Sequence, residues 1–150
     1  MRFFKFIIII ITFSSCSSEK KKVKDSREVI VENKKSVFFK WPKDGSTVGS
    51  PVFIDMGLEG MKIEPAGKVN PGYGHHHILI NQKFWPNGKV IPMSDSTLHY
   101  GKGQTDAMIE LDPGEYIISL QFADGVHASF GEEMSASIKI NVEWYGELFR

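Results

Sequence analysis

Short runs of β-favouring residues, divided by turn-forming residues, constrain the fold of this chain more than any other feature of its sequence. No window shows a sustained helical period, and strands of this length separated by segments rich in Pro, Gly and Asp are typical of an antiparallel sandwich. About 115 residues remain from Ser36 onward, which is enough for one such domain. The six runs are 37–39, 52–58, 75–80, 107–111, 116–122 and 135–144.

The turn before the fifth run strengthens this prediction. Pro113 and Gly114 set a tight turn, and Tyr116 lies just beyond it. A tyrosine in this place bonds back to the backbone in the tyrosine corner of immunoglobulin-like domains. We therefore expect an all-β fold, an immunoglobulin-like antiparallel β-sandwich of about seven strands within residues 36–150.

The first residues of the chain have the pattern of a lipoprotein signal peptide. A short cationic head, residues 1–5, precedes an apolar run, residues 6–13, which is much shorter than the roughly 20 apolar residues of a membrane span. Cys16, the only cysteine, follows two serines as in the bacterial lipobox, with Phe13 where leucine is more usual. We expect residues 1–15 to be a lipoprotein signal peptide and Cys16 to be lipidated.

Residues 16–35 are predicted to form a polar tether between the lipidated cysteine and the domain. They contain too few apolar side chains to offset the entropy lost on ordering. Without a second cysteine no internal disulfide can form, so the domain must be stable through its own core. Together with the predicted signal peptide and lipidated Cys16, this tether leads us to expect an exported protein of the bacterial cell envelope. We expect it to be lipid-anchored in the outer membrane and to face the periplasm or the cell surface.

The charge of the chain differs between its segments. Residues 16–35 carry seven Lys and Arg against four Asp and Glu, whereas residues 36–150 carry nine against fourteen. The predicted domain is therefore mildly acidic, which argues against nucleic acid as a partner because phosphate binding needs a basic face. The basic tether either lies against anionic lipid headgroups or is simply solvated.

Four of the five histidines form the candidate site. His75 and His77 lie on one predicted strand and share a face about 6 to 7 Å apart, while His76 faces the other way. His99 and His127 each stand in a separate Gly-rich segment. The spacing of the strand pair suits two ligands on one metal ion.

Five sequence motifs run through the predicted domain in a fixed order. They are 60–62 with 65–67, then 74–80, 98–105, 111–114 and 120–127. Together they resemble the uncharacterised bacterial envelope family catalogued as domain of unknown function 4399, over residues 41–142. The four candidate histidines fall where the family has histidine, and Tyr100 stands where phenylalanine is expected. The family name conveys no activity.

A metal site is the sharpest hypothesis for these histidines. The strand pair would be joined by His99 and His127 from loops at the same end of the sandwich. Neutral imidazoles suit copper or zinc, and copper is favoured by affinity order and by an extracytoplasmic setting. Copper-zinc superoxide dismutase, also a sandwich with a His-x-His strand pair, offers an analogy without wider sequence similarity. Met61 and Met93 lie in loops and are candidate soft ligands for Cu(I).

A structural hydrogen-bond network is the alternative for the same histidines. The rings can be satisfied by backbone carbonyls or by Gln104, Thr105 and Asp124. With a metal bound, these three residues would instead support and orient the ligating imidazoles. Both arrangements tie the loops to the sandwich.

A pocket for a small molecule or glycan is the third hypothesis. Trp41, Trp85, Tyr73 and Tyr100 offer faces that stack on sugars, and residues 70–74 could form a rim. Aromatic residues at this density are equally explained by packing in the core and loops.

The sequence contains no recognised catalytic motif. The sequence has no Gly-x-Ser-x-Gly elbow and no His-Glu-x-x-His motif, and lipidation would block its only cysteine. The glycines of residues 101–105 lack phosphate-loop spacing and are expected to let the backbone approach the histidines closely. We therefore predict a membrane-anchored extracytoplasmic domain, not an enzyme, that binds a metal ion or small ligand. The sequence names neither the metal nor a protein partner.

Overall fold

The computed structural model describes residues 34–146, in which nearly all regular structure is β. This part of the chain contains no α-helix and no helix able to cross a membrane, and one 3₁₀ turn, Glu132–Met134, precedes the last strand. The predicted signal peptide, Cys16 and most of the predicted tether lie outside the described residues. The strands are β1 (Ser36–Trp41), β2 (Ser46–Gly49), β3 (Val52–Glu59), β4 (Lys62–Ile63), β5 (Tyr73–Ile80), β6 (Thr97–His99), β7 (Asp106–Ile109), β8 (Gly114–Ala123) and β9 (Ser135–Glu143).

The strands form two sheets that pack face to face. β1, β3 and β7 make an antiparallel sheet in the order β1-β3-β7. The second sheet has the order β2-β9-β8-β5-β4, and β6 also pairs with β5. Within it β2 runs parallel to β9 and β4 parallel to β5, whereas β8 is antiparallel to both β5 and β9. The prediction of an all-β sandwich is confirmed.

The described residues contain nine strands where the sequence predicts about seven. The strands that the six sequence runs do not show are β2, β4 and β6, which are four, two and three residues long. Runs this short do not reveal an alternation of polar and apolar residues. Two of them, β2 and β4, form the parallel pairs, so no hairpin turn marks them in the sequence.

The main hydrophobic core lies between the two sheets. Alternate residues of a strand point inward, as in β3, which buries Val52, Ile54 and Met56 and exposes Phe53. The buried apolar side chains of the core are Val37, Phe39, Val48, Val52, Ile54, Met56, Ile78, Ala107, Ile109, Ile118, Leu120, Phe122, Met134, Ile138, Ile140 and Val142.

β5 is covered on both of its faces and paired on both of its edges. Toward the core, the ring of His76 packs edge-on against Phe122 with ring centroids 5.2 Å apart. On the opposite face lie His75, His77 and Leu79, and Leu79 belongs to a second, smaller apolar cluster. β8 pairs with one edge of the strand, and β4 and β6 pair with the other. The strand that carries three histidines is therefore central in its sheet.

The tyrosine corner predicted from the turn before β8 is confirmed. The hydroxyl of Tyr116 donates a hydrogen bond to the backbone carbonyl of Asp112 at 3.0 Å. The side chain also packs against the main core. This contact fixes the chain where it enters the strand that flanks β5.

Replacing Tyr116 with phenylalanine should lower the free energy of unfolding by about 1 kcal/mol, because the corner loses one hydrogen bond while its packing remains. Urea denaturation followed by circular dichroism measures the change. Tyr145→Phe is the matched control, since Tyr145 is 52% exposed, and it should leave stability unchanged. Equal stability of Tyr116→Phe and the parent protein would contradict the role assigned to the corner.

Candidate metal centre

Two of the four candidate ligands are fixed by the pleat of β5. His75 and His77 point away from the sandwich core and are 0% and 1% exposed. The prediction that His76 faces the other way is confirmed by its ring contact with Phe122. Because β5 is hydrogen-bonded on both edges, the backbone holds the two outer rings side by side.

His99 is positioned by β6. This short strand pairs antiparallel with β5 and sets His99 directly opposite His77. Side chains directly opposite each other in such a pair lie on one face, with Cβ atoms about 5 Å apart. The ring centroids of the two histidines are 5.1 Å apart. Cross-strand pairing therefore places His99 beside His77 in the cluster.

His127 stands in the turn that follows β8. This strand ends at Ala123, the cross-strand partner of His75, so the turn starts beside the strand pair. Oδ1 of Asp124 accepts two backbone N–H groups of the turn, both at 2.9 Å. His127 itself has a φ of 67°, a left-handed conformation that is uncommon for residues other than glycine. The bonds to Asp124 hold the turn that places this ring.

Two glycines allow the surrounding segments to come this close. A Cβ atom at Gly101 would clash with the imidazole of His99, and one at Gly125 would clash with the backbone carbonyl of Lys68. The expectation that the glycines of residues 101–105 let the backbone approach the histidines is confirmed at Gly101. Gly125 does the same for the turn that carries His127.

The four imidazoles converge on one point. Nε2 of His75 lies 3.1 Å from Nε2 of His77 and 3.1 Å from Nδ1 of His127. All six pairs of ring centroids among the four histidines are 4.6 to 5.8 Å apart. One ligand nitrogen from each ring lies within 4.8 Å of the other three. The structure brings together every histidine that the sequence analysis placed in the site.

This arrangement fits a single transition-metal ion. Bonds from zinc or copper to imidazole are about 2.0 to 2.1 Å, which puts the ligand nitrogens of a tetrahedral site about 3.3 Å apart. Two of the observed separations, at 3.1 Å, are close to this value. The others are at most 4.8 Å, and a tetrahedral site requires them to shorten to about 3.3 Å.

Burial lowers the pKa of three of the four imidazoles and so favours their neutral form at neutral pH. Loss of solvation, followed by the neighbouring histidines, lowers the pKa of His75 from 6.5 to about 4 and that of His77 to about 3. The pKa of His99 is also lowered, first by desolvation and then by His127. Neutral rings have free lone pairs, which is the form in which histidine binds metal ions.

Hydrogen bonding does not satisfy the cluster. A neutral imidazole nitrogen either donates one proton or accepts one, so Nε2 of His75 cannot pair fully with both nitrogens at 3.1 Å. Within residues 34–146, Nδ1 of His75, Nδ1 of His77 and Nε2 of His99 are buried without a partner. Buried polar atoms in this state are unfavourable. Hydrogen bonds within the described residues therefore leave three ring nitrogens of the cluster unpaired.

The three residues expected to support the rings make no hydrogen bond to them in the described part of the chain. Gln104 and Thr105 are exposed. The side-chain oxygen of Gln104 accepts the N–H of Lys102, and the carbonyl of Thr105 accepts the N–H of Met56. Asp124 acts on His127 through the backbone of the turn.

The two methionines named as soft ligands lie in different surroundings. Met61 packs against the main core. Met93 is 78% exposed and lines an open groove on the surface to which His99 also contributes. The four histidines reach one another without either methionine.

The four aromatic residues of the glycan hypothesis do not form one surface. Trp41 is exposed at the end of β1, whereas Trp85 packs in the small apolar cluster on the outer face of β5. The ring of Tyr73 lies under the ammonium group of Lys62, which is 5.5 Å from the ring centroid, and Tyr100 packs against the main core. These side chains are explained by separate packing contacts.

One residue that sequence patterns do not single out lies beside the histidines. Glu64 directly follows β4, whose parallel pairing sets Ile63 opposite Gly74, and its N–H donates to the carbonyl of Gly74 at 2.8 Å. The next residue of β5 is His75. Because β4 has only two residues, no alternation in the sequence predicts this neighbour.

Comparison with known proteins identifies the family. The sequence model of a family described as a domain of unknown function, DUF4399, matches residues 54–143, which include all four clustered histidines. The chain belongs to this family. The resemblance seen in the motifs is confirmed, and the matched span begins at Ile54 where the motifs had indicated Trp41. No curated protein and no solved structure matches the chain.

Acid should destabilise the metal-free protein through these histidines. In the unfolded chain their imidazoles titrate near 6.5, whereas in the folded protein those of His75 and His77 titrate near 4 and 3. In this window the unfolded state binds more protons, so stability is complete above pH 6.5 and falls as the pH decreases toward 4. We expect a loss of at least about 2 kcal/mol between pH 7 and pH 5.

Urea unfolding of the metal-stripped chain at the two pH values measures this loss. The His75→Gln/His77→Gln variant is the control, because glutamine fills similar space and cannot titrate. The variant should lose less stability than the parent protein over the same interval. Equal losses in the two proteins would show that other groups cause the acid sensitivity.

Proposed function

We propose that the protein is a lipid-anchored, extracytoplasmic binding domain of the bacterial cell envelope that holds one metal ion, copper or zinc, through its histidine cluster. The ligands are His75, His77, His99 and His127. The partners are the membrane, through the lipid at Cys16, and the bound ion. The proposed role is binding, since the sequence carries no recognised catalytic motif.

One observation carries this function: four imidazoles, two of them fully buried, meet with one nitrogen of each within 4.8 Å of the others. The nitrogens that face the centre are incompletely hydrogen-bonded, because Nε2 of His75 lies 3.1 Å from both Nε2 of His77 and Nδ1 of His127 and cannot pair fully with both, which costs free energy. A metal ion at their centre would accept one lone pair from each ring and so remove the cause of that cost. The cluster is therefore best explained as a set of ligands.

The two alternatives have less support from the same residues. A structural network needs hydrogen-bond partners for the rings, and Gln104 and Thr105 face solvent instead. A glycan pocket needs converging aromatic side chains, and the four candidates lie in separate places. A protein that binds none of the tested metal ions would favour these alternatives instead.

The proposed location rests on the N-terminal sequence. The cationic head, the short apolar run and Cys16 have the order of a lipoprotein signal peptide. A polar tether of about 20 residues would then separate the domain from the bilayer. Copper and zinc are ions that such an envelope domain would meet outside the cytoplasm.

Titration calorimetry with Zn(II), with Cu(II) and with Cu(I) under reducing conditions tests metal binding. The titrated protein begins at residue 16 and carries Cys16→Ala, which removes the thiol as a competing ligand. We expect one ion per chain and a rise in melting temperature, because a ligand at 100 times its Kd stabilises the folded state by about 2.7 kcal/mol. The His75→Ala/His77→Ala variant should bind about 100-fold more weakly or not at all.

His76→Leu is the matched control for this titration. It removes a buried histidine from the same strand, but one that points into the core against Phe122. We expect it to bind the ion as the parent protein does. Absence of binding to the parent, or an equal loss in His76→Leu and the double variant, would refute the site.

Replacing Cys16 with alanine in the full-length chain should move the protein from the membrane fraction to the soluble fraction, because the predicted acyl chains attach at this residue. Labelling of the cells with a fatty acid probe, followed by fractionation, measures both effects. Ser17→Ala is the control and should keep the label. An unlabelled parent protein would rule out the proposed anchor.

A further inference from the structure

Glu64 has a buried carboxylate oxygen with no partner in the described residues. Its Oε2 accepts a hydrogen bond from Nδ2 of Asn70 at 2.7 Å, whereas its Oε1 is buried and unpaired. A carboxylate oxygen removed from water is strongly unfavourable unless a cation or an N–H group faces it. Oε1 of Glu64 therefore needs a cation or an N–H donor that the described residues do not supply.

The register of the sheet places Glu64 on the histidine side of β5. The parallel pair of β4 and β5 sets Ile63 opposite Gly74, and the bond from the N–H of Glu64 to the Gly74 carbonyl continues the ladder. Glu64 is thus the neighbour of His75. Neighbouring residues on adjacent strands point to the same face of a sheet, so both side chains belong to the outer face.

His99 contributes the complementary unpaired atom. Its Nε2 is buried without a partner and lies against Gly101. The carbonyl of Gly101 accepts the N–H of Ala66, two residues after Glu64, at 2.8 Å. The segment that carries Glu64 is therefore bonded to the segment that carries His99, and each segment holds one unsatisfied buried polar atom.

We propose that Glu64 is a positioning residue of the metal centre that accepts the Nε2 proton of His99, directly or through one water, while Nδ1 of His99 binds the ion. This inference rests on the proposed metal-binding function. Metal-ligating histidines generally donate their second N–H to a carboxylate or carbonyl, which fixes the ring and makes it a stronger ligand. Glu64 supplies that acceptor for the one ligand that a three-residue strand holds in place.

Glu64 together with Asp124 also selects the charge of the ion. Imidazole ligands bind a metal in their neutral form and bring no charge of their own, so a buried cation needs compensation from nearby carboxylates. Asp124 lies in the turn after β8, where its Oδ1 accepts the N–H groups of the two residues that flank His127, Val126 and Ala128, both at 2.9 Å. Two carboxylates balance a divalent ion, whereas a monovalent ion would leave excess negative charge at the site. We therefore expect the centre to bind Zn(II) or Cu(II) more tightly than Cu(I).

Affinities of Glu64→Gln for Zn(II), Cu(II) and Cu(I) test this role in the chain that carries Cys16→Ala. Glutamine keeps the size of the side chain and removes its charge. We expect the Kd for the divalent ions to rise by about tenfold or more and that for Cu(I) to change by less than about threefold. Glu59→Gln, an exposed glutamate at the end of β3, is the control and should change neither.

The outcomes separate this inference from the proposed function. A parent protein that binds none of the ions refutes both. A parent protein that binds them, with a Glu64→Gln variant that loses affinity for all ions equally or for none, refutes the role of Glu64 alone. A general structural role for Glu64 would not produce a difference between divalent and monovalent ions.

A second measurement keeps the test independent of the folding of the variant. Nitrogen-15 spectra of the histidines in the Zn(II)-loaded parent protein report which ring nitrogen carries the proton. We expect His99 to be protonated at Nε2 and to bind zinc through Nδ1. Zinc bound through Nε2 of His99 would overturn the proposal.

Discussion

Hydrogen bonding on both edges of β5 is the interaction on which the whole site depends. β8 sets Ala123 opposite His75, and β6 sets His99 opposite His77. Because side chains alternate with a period of two, a slip of one residue would turn His76 into the cluster and its two neighbours into the core. Pairing on both sides prevents that slip. The geometry of four rings from three segments follows from this one register.

The outer face of the six-stranded sheet is covered by loops that polar side chains fasten to it. Gln121 is fully buried on this face, where its Oε1 accepts the N–H of Trp85 and its Nε2 donates to the carbonyl of Gly131. The hydroxyl of Ser119 donates to the carbonyl of Gln82. Together with the small apolar cluster around Leu79, these bonds give the loops fixed positions. The core of the sandwich packs against one face of β5, and the hydrogen-bonded loops shield the other face from solvent.

The histidine cluster couples binding to folding. Bringing four imidazoles together in a buried place lowers the pKa of His75 and His77, which destabilises the metal-free fold in acid, and leaves ring nitrogens unpaired, which destabilises it at any pH. An ion bound by one nitrogen of each ring would need all four rings in their folded positions, so its binding would stabilise the fold. The low pKa values also mean that protons compete weakly with such an ion near neutral pH. The packing that leaves these rings without full hydrogen bonds therefore also prepares them to bind a cation.

The sequence by itself determined the features that depend on local periodicity and turn chemistry. These are the β class, the opposite orientation of His76 and its neighbours, and the corner at Tyr116, because strand pleat and turn geometry act over a few residues. Only the tertiary structure decided which strands flank β5. That choice sets His99 opposite His77, starts the turn of His127 beside His75, and places Glu64 next to the cluster. It also left Gln104 and Thr105 facing solvent. The physical reason is that strands as short as β4 and β6 are held by long-range partners, and local sequence does not encode those partners.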